Sequence, residues 1–310
     1  MLNIMIIFMD GSLGDTLYCL SQIEQCKKKS IIFSSTKISK NILDIFIKKK
    51  YIFHLPIGGF FFRKVVWFTI KSAHFISFFI KINLSIFNNK GMVYTIYEYK
   101  TKLVLVKKYL IINSEIKHNE LFIKGNILEN TNSYGNYILV NMDVDKSVRK
   151  KVIKNSFRPT KLPTVNFYEK LIFDLRLKMP NHIFIQVGEA GNLIKNVDIN
   201  LVGKTNLIQL IQLIQNARLT ITIEGGIRAL CVFLNAPAVA IFGPTSQSLI
   251  PTSKSVSDVR YTSCKPCWRD KKEWYSKCHK NYDGEAICTS DDTLIPQINK
   301  LSLIAQNALR

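Results

Sequence analysis

Short apolar runs that end in glycine-bearing turns and lead into amphipathic stretches recur along this chain. That alternation constrains its fold more than any other feature of its 310 residues. Asn3–Met9 is followed by the turn Asp10–Gly14 and a helical pattern over Asp15–Lys28. Ser30–Ser34 then precedes Ile38–Lys50, Tyr51–Leu55 precedes a long helical region, and Met92–Ile96 precedes Glu98–Leu110. A second series starts at Tyr137–Met142. It runs through the helical Val165–Leu177, the strand His182–Val187, the helical Asn206–Arg218, and the strands Leu219–Ile223 and Ala238–Phe242. Strands alternating with helices predict an α/β class built on parallel sheets. In Asn206–Arg218, leucines and isoleucines make one broad face and Gln209, Gln212 and Gln215 the other, with Thr205 or Asn206 placed to cap the helix. The polar, asparagine-rich Asn119–Tyr134 reads as a linker. It divides the chain into domains 1–135 and 136–310, each of ordinary domain size.

The formal charge of +21 is spread over both halves, so no basic tail accounts for it. Such a balance calls for an anionic partner: nucleic acid, a phosphorylated sugar or an acidic membrane surface. The apolar stretch Val65–Phe87 is interrupted by Lys71, His74 and Lys81 and falls short of the ~20 apolar residues of a spanning helix. No charged leader precedes Asn3–Met9, so the expected compartment is the cytoplasm, where thiols stay reduced and the seven cysteines are not read first as disulfides.

Four short motifs can carry transfer chemistry. Gly11, Ser12 and Gly14 let the first strand turn into its helix and bring backbone close to a ligand, and Asp15 follows them at the helix start. The loop lacks the Gly-Lys-Ser/Thr ending of a phosphate loop and the three-glycine dinucleotide spacing. Asp15 reads either as a general base for a sugar hydroxyl or as a charge stabilising the helix start. Lys161-Leu162-Pro163 precedes a helix, and Glu224-Gly225-Gly226 and Gly243-Pro244-Thr245 each follow a strand. There a lysine can neutralise a diphosphate, a carboxylate can accept from sugar hydroxyls, and glycine turns admit phosphate to the backbone. Each reading stands beside a plainer one, a solvated lysine and ordinary turns.

The order of these pieces resembles glycosyltransferase family 9, the heptosyltransferase family. It runs Gly14-Asp15-x-Leu17, Lys161-x-Pro163, Glu224-Gly225-Gly226, then Ala236-Pro237 leading to Phe242-Gly243-Pro244-Thr245. The resemblance implies a GT-B fold, two Rossmann-like domains with parallel sheets facing a cleft, acceptor-binding in the N-terminal half and nucleotide-sugar-binding in the C-terminal half. It implies an inverting mechanism with Asp15 as base, Lys161 as the phosphate-contacting lysine, and Glu224, Gly225 and Gly226 as the donor-sugar loop. Gly243, Pro244 and Thr245 add donor-side backbone. The expected partners are a nucleotide sugar, ADP-heptose or similar, and a lipopolysaccharide or related glycan, with no cofactor required for the chemistry. The family's loop often reads Asp-Ser/Thr-Gly-x-x-His; here Glu224, Gly225 and Ala229 depart from it, which leaves the donor sugar open.

Cys264-x2-Cys267, Cys278 and Cys288 fall within one loop, 264–288, with His279 beside the third. Four thiolates can enclose a structural zinc or iron, and an all-cysteine shell leaves no open position for catalysis. Unligated thiols and reversible disulfides are the other readings. The resemblance extends to a subgroup that modifies autotransporter proteins and carries an iron-binding cysteine finger. Cys19, Cys26 and Cys231 read as core residues of helices.

Phe60–Phe87 reads as one helix with a narrow polar stripe, Lys71, His74, Ser77, Lys81 and Ser85. It is either buried against a sheet or, with Arg63 and Lys64, laid on the anionic inner face of the cytoplasmic membrane. Other function classes are a protein heptosyltransferase with a metal-bound cysteine finger, a catalytically inactive homologue, and a zinc-containing nucleic-acid binder. The last lacks the paired-histidine finger spacing, so nucleic acid is not an expected partner.

Overall fold

In the computed structural model, residues 134–144, 158–190, 192–250, 252–267, 274–281 and 285–309 are described. Within 1–133, the strands, Leu13, Leu17, 40–42 and no other residues are described. The chain divides into two compact units, Met1–Asn113 with Asn119–Lys124, and Ser114–His118 with Gly125–Arg310.

The N-terminal unit holds a six-stranded sheet of β1 (Asn3–Met9), β2 (Lys29–Ser34), β3 (Tyr51–His54), β4 (Asn83–Asn88), β5 (Met92–Tyr99) and β6 (Lys102–Tyr109), in the order β3-β2-β1-β4-β5-β6. The first four strands in that order are parallel, as expected. The last two correct the sequence reading: β5 runs antiparallel to β4, and β6 antiparallel to β5, so the helix expected over Glu98–Leu110 is a strand and this sheet is mixed. The register pairs Tyr99 with Lys102 and Met92 with Tyr109. Leu103–Val106 is a continuous apolar run, and periodicity cannot tell such a run from a helix turn. Its alternate valines and the two residues separating β6 from β5 favour a hairpin. The single helix expected over Phe60–Phe87 is likewise interrupted, because residues 83–87 belong to β4, parallel to β1. Its earlier residues, Arg63, Lys64, Lys71, His74, Ser77 and Lys81 among them, lie outside the described residues.

The C-terminal unit holds β7 (Tyr137–Asn141), β8 (Ile183–Val187), β9 (Ile199–Asn200), β10 (Leu219–Ile223), β11 (Ala238–Ile241) and β12 (Val256–Val259), all parallel, in the order β12-β11-β10-β7-β8-β9. Every residue of β7, β10 and β11 is buried, as strands covered on both faces must be. Asn141 and Thr222 are paired within the sheet. Thr222 Oγ1 donates to Asn141 Oδ1 (3.1 Å), and Asn141 Nδ2 donates to the Val187 carbonyl (3.2 Å).

Helix α1 (Val165–Lys178) starts where Thr164 Oγ1 accepts from the Phe167 amide (3.0 Å), with Pro163 just before it. It buries Phe167, Tyr168, Leu171, Ile172 and Leu175, the helical spacing that turns one face to the sheet. Asn206 caps α2 (Leu207–Asn216) in a reciprocal box with Gln209, the second of the two caps expected. Helix α3 (Gly226–Leu234) ends in left-handed Asn235 (φ 53°). The short α4 (Asp291–Leu294) leads through a 3₁₀ turn into α5 (Ile298–Asn307), which packs beside α1. Leu171, Leu175 and Leu301 join Val140, Ile221 and Val239 in one core. Cys231 is fully buried in α3, as its position predicts, and burial pushes its thiol up to about 12 against smaller opposing effects of Thr220 and Arg228.

Candidate functional site

Neighbouring β7 and β10 are the first and fourth strands of the C-terminal sheet, so chain order reverses between them. Ligands of open α/β sheets gather outside the carboxyl ends of strands at such a reversal. On the β7 side, Asp143 Oδ2 accepts from the Glu189 and Ala190 amides (2.7 and 3.0 Å) and pins the turn after β8. On the β10 side the strand is followed by Glu224, whose amide donates to the Ile241 carbonyl (3.1 Å).

Three of the expected donor residues meet here. Lys161 Nζ is ion-paired with Glu224 Oε2, and Thr245 Oγ1 donates to the same oxygen (2.9 Å). The pair is half-enclosed, with side-chain exposures of 20% for Lys161 and 11% for Glu224, so each charge keeps an open side. Lys161 also stands over the Trp274 ring, 5.4 Å from its centroid.

Local bonds explain why the lysine arrives at this point. Thr164 Oγ1 donates to Asp291 Oδ1 and Asn166 Nδ2 to Asp291 Oδ2 (2.7 Å), fastening the start of α1 to α4. Thr160 Oγ1 donates to the Trp274 carbonyl (2.7 Å), the Thr160 amide to the Tyr275 carbonyl (3.0 Å), and Thr289 Oγ1 to the Thr160 carbonyl (3.0 Å). The Gly243 turn is held as closely. A Cβ there would stand 2.9 Å from Thr289 Cγ2, 3.2 Å from the Thr160 carbonyl and 3.3 Å from Cys288 Sγ, so packing rather than conformation demands glycine. Arg260 Nε donates to the Gly243 carbonyl (3.1 Å), and the Cys267 amide to the Pro244 carbonyl (3.0 Å). Gly225 precedes α3 without a side-chain cap, and a Cβ on it would meet open space. Gly226 opens the helix, whose unpaired N-terminal amides form the positive end of its dipole. Ala229 is fully buried. A charged lysine, a carboxylate and a helix N-terminus beside a strand end can hold an anionic group next to a hydroxyl-bearing one.

Asp15, Gly11, Ser12 and Gly14 lie outside the described residues. The cysteines of 264–288 are neighbours: the Cys288 thiol is pushed up to about 12, first by burial and then by Cys267, Cys278 and Cys264, against a smaller opposing effect of Arg260. Among the described residues, however, no three His, Cys, Asp or Glu side chains are arranged to hold a metal ion, so the four thiols form no closed shell. Sequence reasoning passed over Thr160, Trp274, Thr289 and Asp291. Their contacts with the Lys161 segment span more than 100 residues, and no spacing rule signals them.

Residues 186–278 match the sequence model of glycosyltransferase family 9 (heptosyltransferase). Lipooligosaccharide heptosyltransferase 2 of Haemophilus influenzae is 38% identical over 53 residues, and the match spans 17% of this chain and 15% of that protein. A family 9 glycosyltransferase from Veillonella parvula has a similar structure, with TM-score 0.57, 12% identity and 97% of each chain covered. Escherichia coli heptosyltransferase WaaC with ADP gives 0.52 at 14% identity, covering 96% of this chain and 99% of that one. The dodecameric iron-containing heptosyltransferase TibC, in complex with ADP-D-β-D-heptose, gives 0.52 at 14% identity, covering 99% and 77%. The chain thus has the GT-B fold of two Rossmann-like domains. Its residues 186–278 are similar to glycosyltransferase family 9, the heptosyltransferase family.

Proposed function

We propose that this chain transfers a sugar, heptose first among the candidates, from a nucleoside-diphosphate donor to a lipopolysaccharide or related glycan, with inversion at the anomeric carbon. The observation that carries the proposal is the set of Lys161, Glu224 and Thr245 at the strand ends of the C-terminal sheet. A diphosphate meeting Lys161 and the N-terminus of α3 finds positive charge without a divalent metal. Glu224, released from the lysine, accepts hydrogen bonds from donor-sugar hydroxyls. In the reaction Asp15 takes the acceptor hydroxyl proton, and the acceptor oxygen bonds to the anomeric carbon opposite the departing phosphate. The carbon–phosphate-oxygen bond breaks with its electrons on the nucleoside diphosphate, whose charge Lys161 and the backbone amides near Gly243–Thr245 offset. The glycan acceptor and the formal charge of +21 suit work at the anionic inner face of the cytoplasmic membrane.

A thermal-shift panel of ADP, UDP, GDP and CMP tests this, because a ligand that binds only the folded chain raises its melting temperature. ADP is expected to give the largest shift, and Lys161→Ala to weaken its binding about 10- to 100-fold, the worth of a hydrogen bond to a charged group. No shift with any nucleotide at millimolar concentration would remove the proposal.

A protein acceptor is the second reading, favoured by the gathered thiols and by the likeness to TibC. In that reading Cys264, Cys267, Cys278 and Cys288 rearrange around a structural zinc or iron, which relieves their mutual repulsion and fixes the loop. Elemental analysis of the purified chain should then find about one metal per chain, lost in Cys288→Ser. Metal-free protein with the full nucleotide shift would argue against it.

A further inference from the structure

We propose that Trp274 is a positioning residue of the donor site, its indole face holding the Lys161 ammonium where a donor diphosphate is met. The proposal deepens the reading of Lys161 as the diphosphate-binding lysine and rests on it. Lysine is a point charge on a flexible four-carbon stem, so its aim must come from its neighbours. Lys161 has two of opposite character: the Glu224 carboxylate and the Trp274 ring 5.4 Å away, within the range of a cation–π contact. The carboxylate neutralises the ammonium and repels an arriving phosphate. The indole attracts the ammonium without carrying a charge, so it is the contact the lysine can keep when it turns from Glu224 to the diphosphate.

The chain delivers this ring through main-chain bonds. Thr160, the residue before Lys161, donates to the carbonyls of both Trp274 and Tyr275, and Thr289 in turn fixes Thr160. The Trp274 and Tyr275 rings meet edge to face at 5.9 Å. Because those anchors are backbone carbonyls, exchanging the Trp274 side chain leaves them in place. The cysteine-rich segment thereby contributes a wall of the donor site, with Trp274 lying between Cys267 and Cys278 in sequence.

The test is ADP affinity by calorimetry in wild-type protein, Trp274→Leu, Trp274→Phe, Lys161→Ala and the Lys161→Ala/Trp274→Leu double variant. Trp274→Leu is expected to bind ADP about 2- to 30-fold more weakly, and Trp274→Phe, which keeps an aromatic face, to recover part of the loss. In the Lys161→Ala background the leucine substitution should add nothing, a non-additivity that a merely structural role would not produce. Equal affinities for wild type and Trp274→Leu, or a loss of the same size in both backgrounds, overturn the proposal while leaving the donor reading intact. Wild-type protein that binds none of ADP, UDP or GDP, or Lys161→Ala that binds as wild type does, overturns the donor reading and this proposal with it.

Discussion

Alanine at Asp258 is expected to lower the unfolding free energy by about 3–5 kcal/mol, the cost of stranding a buried charge. Arg228, on the first turn of α3, is fully buried. Its Nε donates to Asp258 Oδ1 on β12 (2.8 Å), its Nη2 pairs with Oδ2, and its guanidinium lies 5.3 Å from the Phe242 ring centroid. With the carboxylate gone, the guanidinium loses its ion pair with Asp258. Urea unfolding followed by near-ultraviolet circular dichroism measures the loss. The double variant Arg228→Met/Asp258→Leu removes both charges and is expected to be within about 1 kcal/mol of wild type or more stable. A single variant costing less than about 1 kcal/mol would show that the pair is not desolvated as described. Since α3 begins beside Glu224, loosening the pair should also weaken nucleotide binding.

Asparagine at Asp15 is expected to reduce glycosyl transfer about 10²- to 10⁴-fold, the range for loss of a general base. The amide keeps the shape of the carboxylate and cannot take the acceptor proton. ADP binding should be unchanged, because the proposed donor contacts all lie in the C-terminal unit. ADP release from ADP-heptose in the presence of acceptor measures the first quantity and calorimetry the second. Transfer at the wild-type rate would return Asp15 to the role of a helix-start charge.

Local signals read correctly wherever one element supplied its own explanation. The leucine, isoleucine and glutamine pattern of α2 marked a helix, and Asn206 its cap, because both depend on residues three or four apart. The apolar runs of β7, β10 and β11 marked strands for a similar reason, and the structure buries every residue of them. The same signal misled over Glu98–Leu110, where Leu103–Val106 has no period of its own and pairing with β5 decided its conformation.

Order along the chain was enough to determine the α/β class, the glycine turns at strand ends and the resemblance of the Lys161, Glu224 and Thr245 segments to one family's pattern. These are properties of short segments and of their succession. Tertiary structure alone decided that Glu224 pairs with a lysine 63 residues away, that Thr160 grips the backbone of Trp274 and Tyr275, and that Cys288 packs on Gly243. Such contacts form because parallel strands return each βα unit to the same edge of the sheet. Which side chains meet there depends on strand order and packing, quantities that no local pattern encodes.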